Sequence, residues 1–329
     1  MNKSSAGRVS LLLFLFLVPL FFVKTPYILH VLIMILVNIM LVSSLRLIDN
    51  TGQLSLCHGG MMSIGAYASA LLVMKMHVSF WAALPMSGLF VLVFAGIVGS
   101  AFARLKGVYF AMATLFLTEV IRLVEEQWRS LTDGVSGLIG IPLPNPVAVG
   151  TLVNIDFSQS RVYFYYLILC LTIVTVLILY AIEHSRIHTT FLCIKQNASL
   201  AESTGINATK FKVLAFGIGS FFAGIAGSFY SHYIACINPE TFGLIFSLNL
   251  VIYMVVGGAS TFTGPMIGAV IFTLVPEIFR DLKEYMPLVF AGILVMVIFF
   301  LPDGLVSLPR ALGRSVRERS RRAGNPGTV

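Results

Sequence analysis

VYFYYLILCLTIVTVLILYAI (residues 162–182) carries no charge and passes directly into EHSRIHTTFLCIKQNASLAESTGINATKFK (183–212), a polar stretch that ends where the next apolar run begins. An apolar run of about 20 residues, rising about 1.5 Å per residue as a helix, crosses a hydrocarbon core of about 30 Å. Lipid offers backbone groups no partner, so such a run closes its hydrogen bonds on itself as an α-helix. The polar stretch that follows is the longest connection on its side, and its length and polarity point to a docking surface for a soluble partner.

Outward from this pair the same reading predicts ten spans, Leu11–Val23, Tyr27–Leu45, Leu54–Met74, Phe80–Ala101, Val108–Val124, Val162–Ile182, Phe211–Ala235, Leu244–Val256, Gly264–Ile278 and Leu288–Leu301. The first and the last three are short, which brackets the count at eight to ten. The fold class is therefore an all-α polytopic membrane protein. Composition agrees: 57% of the 329 residues are hydrophobic and 11% charged, against roughly 25% charged in a soluble domain. Residues 1–309 form the membrane domain, with an outer connection at 125–161 and a coupling loop at 183–212, and 310–329 form a basic tail.

Ten spans with both termini in the cytoplasm place Lys3, Arg8, Arg46, Arg104, Lys106, Arg186, Lys195, Lys210, Lys212 and the C-terminal arginines inside, most of the 22 basic residues. The positive-inside rule supports that orientation. The net charge of +8 is concentrated there, and Arg310, Arg314, Arg317, Arg319, Arg321 and Arg322 read as an orientation signal resting on anionic lipid. No nucleic-acid-binding motif interrupts the pattern. Lys3 and Arg8 precede an apolar run without a small-residue cleavage site, which reads as an uncleaved first helix. Cys57, Cys170, Cys193 and Cys236 have neither metal nor disulfide spacing. The sequons at Asn197 and Asn207 fall in the loop placed inside and are expected to stay unmodified.

Several segments bear on function. Thr51–Leu72 opens a span with Gln53, Ser55 and His58; Ser55, His58 and Met62 share a face by three- and four-residue spacing, a polar stripe for a translocation path or a set of caps and interhelical bonds. Glu119 lies about 16 Å into its span at 1.5 Å per residue and needs a partner, which Arg122 supplies one turn on. Gly217, Gly219, Gly224 and Gly227 allow close helix packing. VVGGASTFTGPMIGA (255–269) breaks a hairpin at Gly257, Gly258, Gly264 and Pro265 beside the hydroxyls of Ser260, Thr261 and Thr263. LTDGVSGLIGIPLPNP (131–146) is too rich in Gly and Pro for a helix and predicts a compact outer cap. In the polar loop, Ser199 and Glu202 form a capping box, Gly205 suits a helix end, and Asn207 or Thr209 caps the next span.

TGQLSLCHGGMMSIGAYASALL (51–72), GVYFAMATLFLTEVIRLVEEQWRSLTDGVSGLIGIP (107–142), IKQNASLAESTGINATKFKVLAFGIGSFFAGIAGSFYSHY (194–233), NPETFGLIFSLNLVIYMVVGGASTFTGPMIGAV (238–270) and FFLPDGLVSL (299–308) follow one another in the order of a known pattern. Across Thr51–Leu308 the chain resembles the LivM-type permease of branched-chain amino acid ABC importers. It departs from that pattern at Cys57 and Asp133, where Gly is usual, and in RIHTTFLCIKQN (186–197).

The resemblance implies a permease fold with inverted halves in a bacterial inner membrane. It implies assembly with a second, related permease, two cytoplasmic ATPases and an extracytoplasmic solute-binding protein. It makes Ile194, Asn197, Ser199, Leu200, Ala201, Glu202 and Gly205 the coupling helix seated on an ATPase. No GxxxxGK[ST] occurs in the sequence, so ATP and Mg belong to the partner subunits and the chain itself needs no cofactor and is no enzyme. Ser55, His58, Thr114, Thr118 and Glu119 are the candidate path-lining groups. Related permeases carry urea or short amides. A stand-alone secondary transporter using Glu119 is the competing class, and a membrane enzyme lacks paired carboxylates, metal spacing or a nucleophile motif.

Overall fold

The computed structural model describes residues 25–149 and 153–278, with isolated residues at 285, 288, 292, 295 and 305. The first and last predicted spans, as elements, and the basic tail lie outside the described residues. The elements in order are α1 (Pro26–Asp49), α2 (His58–Met74), α3 (Phe80–Phe102) and α4 (Val108–Gln127); then α5 (Arg129–Thr132), a 3-10 turn (Gly134–Ser136), β1 (Leu138–Ile139), β2 (Val147–Val149) and β3 (Val153–Ile155); then α6 (Arg161–Glu183), α7 (Arg186–Gln196), α8 (Ala198–Ser203) and α9 (Ala208–Ile234); and finally β4 (Cys236–Ile237), a 3-10 turn (Pro239–Phe242), α10 (Leu244–Gly257) and α11 (Gly264–Ile278).

Five described stretches are long and apolar enough to cross a membrane: Pro26–Asp49, Phe80–Phe102, Arg161–Glu183, Ala208–Ile234 and Pro239–Gly257, with Gly264–Ile278 a shorter apolar helix. Seven of the predicted spans fall on described helices with ends shifted by a few residues. The exception is the span drawn from Leu54, because α2 starts only at His58. Residues 54–57 stay irregular because α4 satisfies their backbone: Leu56 N–H donates to Thr114 Oγ1 at 3.0 Å and Thr118 Oγ1 donates to the Leu56 carbonyl at 2.9 Å. Irregular backbone inside a membrane domain is stable only with such buried partners. Ser55 therefore precedes the helix, and the helical spacing that put it on one face with His58 and Met62 does not hold.

The core is organised on α9, which packs against α1, α2 and α3. Small residues set the approach. A Cβ on Gly65 would overlap the Gly224 backbone, one on Gly227 would meet the Met62 carbonyl, and one on Gly219 would lie 2.9 Å from the Ser44 carbonyl. In lipid, where apolar burial does not drive association, such contacts hold helices together through dispersion. The α10–α11 hairpin repeats the device with Gly257 against Gly264 and Gly268 against the Tyr253 carbonyl. Its break sits at Gly258, φ 111°, and Thr261 Oγ1 accepts from Gly264 N–H at 3.1 Å to start α11. Gly264 and Pro265 thus open the second helix rather than break the first.

The fold is all-α as expected, with two short antiparallel ribbons beside the helices, β1 with β4 (Leu138↔Ile237, Ile139↔Cys236) and β2 with β3 (Val147↔Ile155). Gly and Pro keep the connection after α4 out of helix, and its extended backbone finds partners as strands. Gly137, φ 70°, lies so close to the Ile237 carbonyl that no side chain fits there. These elements form a cap at the end of the bundle where α6 begins; α7 and α8 lie at the other end.

Candidate functional site

At the end of the bundle opposite the cap, α6 runs into two short helices. Ser185 caps α7, accepting from Ile187 N–H at 3.2 Å. The capping box expected at Ser199 is displaced: Asn197 holds the N-cap in extended conformation (φ −158°, ψ 103°), and its Oδ1 accepts from Leu200 N–H at 3.1 Å. Asparagine's carbonyl reaches the orphan amide from one residue before the helix, so Ser199 falls inside the first turn and is exposed. Gly205 takes the left-handed position after the helix, φ 88°, as its sequence position suggests. Asn207, not Thr209, caps α9, accepting from Lys210 N–H at 2.9 Å.

This pair of helices packs a small core of Ile194 and Ala201 against Ala208 at the start of α9. Of the coupling residues read from the sequence, Ile194 and Ala201 face inward and Asn197 serves as a cap. Ser199, Leu200, Glu202 and Gly205 are exposed, Leu200 at 64%. One ion pair fastens the module to α1, and a second, just before it in the chain, joins α1 to the end of α6. Lys195 Nζ meets Asp49 Oδ2 at 2.6 Å. Arg46 donates to both Glu183 oxygens, at 2.9 and 3.1 Å, and through Nε to the Ala259 carbonyl at 3.0 Å, with its guanidinium 5.7 Å from the Phe262 ring centre. One nearly buried arginine thereby joins α1, the end of α6 and the α10–α11 turn. His188 Nε2 lies 4.0 Å from Glu183, and burial holds its imidazole below the ordinary value, opposed by Glu183 and reinforced by Arg46. Sequence reading had used Arg46 only as an orientation charge.

Inside the bundle, Ser55, His58, Thr114 and Thr118 are all buried around the irregular turn before α2. His58 Nε2 is 2.8 Å from Ser44 Oγ, whose hydroxyl donates to the Leu41 carbonyl. With that proton committed, Nε2 is the donor. Ser55 Oγ accepts from Cys57 N–H at 3.4 Å, and Gly59 N–H donates to Ser247 Oγ at 3.0 Å. The two ring and amide groups expected to bond here, His58 Nδ1 and both Gln53 side-chain atoms, are buried with no hydrogen-bond partner among the described residues.

Glu119 stands apart from that cluster. The ion pair expected with Arg122 forms, Arg122 Nε donating to Glu119 Oε1 at 3.0 Å, and Glu126 joins it through Arg122 Nη1. The row borders an exposed apolar stripe of Met112, Phe116, Val120 and Leu123. Glu125, on the adjoining buried face of α4, accepts from Ser63 Oγ at 2.7 Å.

A third group ties the cap to the bundle. His232 Nδ1 lies 2.7 Å from the Pro142 carbonyl, which can only accept, so Nδ1 carries the proton and Nε2 accepts from Ser69 Oγ at 3.1 Å; Ser228 in turn donates to Ser69 at 2.7 Å. The chain of donors runs from α9 through α2 and back to the cap. Replacing Ser69 by alanine is expected to leave the His232 acceptor unpaired and to speed amide hydrogen exchange in residues 138–141 at least tenfold, with exchange in α1 unchanged.

Among the described residues no group of three or more His, Cys, Asp or Glu side chains is arranged to hold a metal ion. The family model described as the permease component of the branched-chain amino acid transport system matches residues 27–301. Over 282 residues the chain is 28% identical to the high-affinity branched-chain amino acid transport system permease protein LivM of Salmonella typhimurium, covering 79% of this chain and 65% of the relative, and 27% identical to LivM of Escherichia coli K12 with the same coverage. It is 26% identical over 279 residues to the permease protein LivH of Escherichia coli K12, covering 78% of this chain and 87% of that one. The chain thus spans about 65% of the length of the LivM relatives. No solved structure matches it. With apolar helices of membrane length and a family match across most of the sequence, the chain belongs to the permease-component family of branched-chain amino acid transport systems.

Proposed function

We propose that the chain is the membrane-spanning permease subunit of an ATP-driven importer that moves branched-chain or other hydrophobic amino acids across a bacterial inner membrane. Its assembly holds a second, related permease, two cytoplasmic ATPases, where ATP and Mg bind, and an extracytoplasmic solute-binding protein. Ten spans in inverted halves, with both termini in the cytoplasm, put α7 and α8 on the cytoplasmic side and the cap outside.

The observation that carries this reading is the α7–α8 module. It is capped at both helix starts, packs a small core against the start of α9, exposes Leu200 and Glu202, and is fastened to α1 through Lys195–Asp49 and beside Arg46–Glu183. Such a module transmits force: a partner gripping Leu200 and Glu202 pulls on α1 through Lys195–Asp49 and on the end of α6, which Arg46 ties to α1 and to the α10–α11 turn. Ser55, His58, Thr114 and Thr118 form the part of the path that is shut in this arrangement, and unpartnered Gln53 and His58 atoms find partners when it opens. Switching requires two global states biased by nucleotide on the ATPase.

The test is reconstitution with the ATPases and the binding protein in liposomes, measuring uptake of labelled leucine, isoleucine, valine and urea. ATP-dependent uptake of the amino acids supports the reading, and uptake driven by an ion gradient without ATPases refutes it. Leu200→Asp is expected to weaken ATPase association at least tenfold, read by co-purification, because it places a charge at the exposed apolar centre of the contact while leaving the inward Ile194 and Ala201 untouched.

A further inference from the structure

The row Glu119, Arg122 and Glu126 on α4 has no place in a lipid-facing surface. Glu119 lies about 16 Å from the start of its helix at 1.5 Å per residue, its side chain is 38% exposed and that of Arg122 25%. The neighbouring stripe of Met112, Phe116 and Val120 is apolar, as a lipid or subunit contact would be, and the charges run along its edge. Ionic groups at this depth are stable only against water or protein.

Their hydrogen bonding is incomplete in a specific way. Glu119 Oε1 takes both Arg122 Nε and Nη2, and Glu126 Oε1 takes Nη1. The second oxygen of each carboxylate makes no hydrogen bond among the described residues, and Arg122 keeps one unused N–H on each terminal nitrogen. Two carboxylates and one guanidinium give the row a formal charge of −1.

Resting on the importer reading, we propose that this row lines the passage and receives the charged end of a zwitterionic α-amino acid, the free carboxylate oxygens taking the ammonium and Arg122 the carboxylate. The ammonium cancels the excess negative charge. Glu126 and Glu119 are two turns apart, a rise of about 10 Å, with Arg122 between them. The ammonium passes from the outer carboxylate to the inner one while the guanidinium keeps hold of the carboxylate, so the zwitterion reaches the middle of the bilayer without losing both partners at once. The apolar side chain of the cargo lies along Phe116 and Val120. This assigns recognition of the common amino-acid end to the permease.

The test uses the full transporter in liposomes. Glu119→Gln is expected to cut the maximal leucine uptake rate at least tenfold while the complex co-purifies at wild-type yield, and Glu119→Asp to restore at least half of the rate. In a background with Cys57, Cys170, Cys193 and Cys236 replaced, Glu119→Cys is expected to react with an impermeant cationic methanethiosulfonate reagent, and leucine-loaded binding protein is expected to slow that reaction. Glu119→Gln uptake within twofold of wild type overturns the proposal. So does a Glu119→Cys variant that reacts in no nucleotide state, which would mean that lipid or the sister subunit covers the row. Loss of assembly in parallel with uptake would make the row a structural ion pair and overturn it as well. Absence of ATP-driven uptake by the wild-type assembly itself would instead refute the importer reading, and the cargo assignment with it.

Discussion

A valine at Gly227 is expected to lower the unfolding midpoint sharply, whereas a valine at Gly96 is expected to be tolerated. At Gly227 the added Cβ would fall on the Met62 carbonyl and 2.9 Å from the Ala66 amide nitrogen, both backbone atoms of α2. No rotamer change relieves a clash with backbone, so α2 and α9 must separate along their whole contact, losing the Gly65–Gly224 approach as well. The cost is at least about 3 kcal/mol, the upper range for overpacking. At Gly96, on α3, nothing lies within 4 Å of the added atom. Thermal unfolding of the purified proteins in detergent distinguishes the two, and equal midpoints for both would remove the α2–α9 contact from its place at the centre of the fold.

The second large effect is expected at Arg46. Arg46→Met should destabilise the protein by about 3–5 kcal/mol, because it leaves Glu183 and the Ala259 carbonyl without their donor in a nearly closed site. Glu183→Gln in the same chain should recover part of that loss, since a neutral amide needs no counter-charge, and a double-mutant cycle measures the share that belongs to the pair. The site also carries a pH signature. His188 is held below its ordinary value of 6.5, so the folded state binds fewer protons there than the unfolded one. Stability from this residue is therefore complete above about 6.5 and falls as pH drops through the lower folded-state value. His188→Gln should flatten that decline. A decline of equal slope in the variant would show that other groups cause it.

Long apolar runs were legible because their signal is additive: α6 and α9 extend within a few residues of the runs that predicted them. Asn207 as a cap and Gly205 as a left-handed end were equally legible, since each depends on its own backbone. Elements that depend on distant partners were not. The late start of α2 is set by Thr114 and Thr118 on α4, and β1 exists only because residues 236–237 lie beside it. The α7 helix was read as a loop arm, because its polar face outweighed the pattern that buries Phe191 and Ile194. Asn197 and Ser199 both offered a capping oxygen, and the choice between them follows from where α7 stops. In the functional groups, the Glu119–Arg122 pair was visible from three-residue spacing, but Glu126 as its third member and the three-way bonding of Arg46 were not.

The ribbon between residues 138–139 and 236–237 imposes an order on biosynthesis. A ribosome delivers the first strand roughly a hundred residues before its partner, so the first half of the polypeptide reaches the translocon with that edge unsatisfied. The cap at the end of the bundle where α6 begins therefore closes only after α9 has been made, and a nascent chain stalled before Cys236 should present residues 138–142 to an added protease that the finished protein resists.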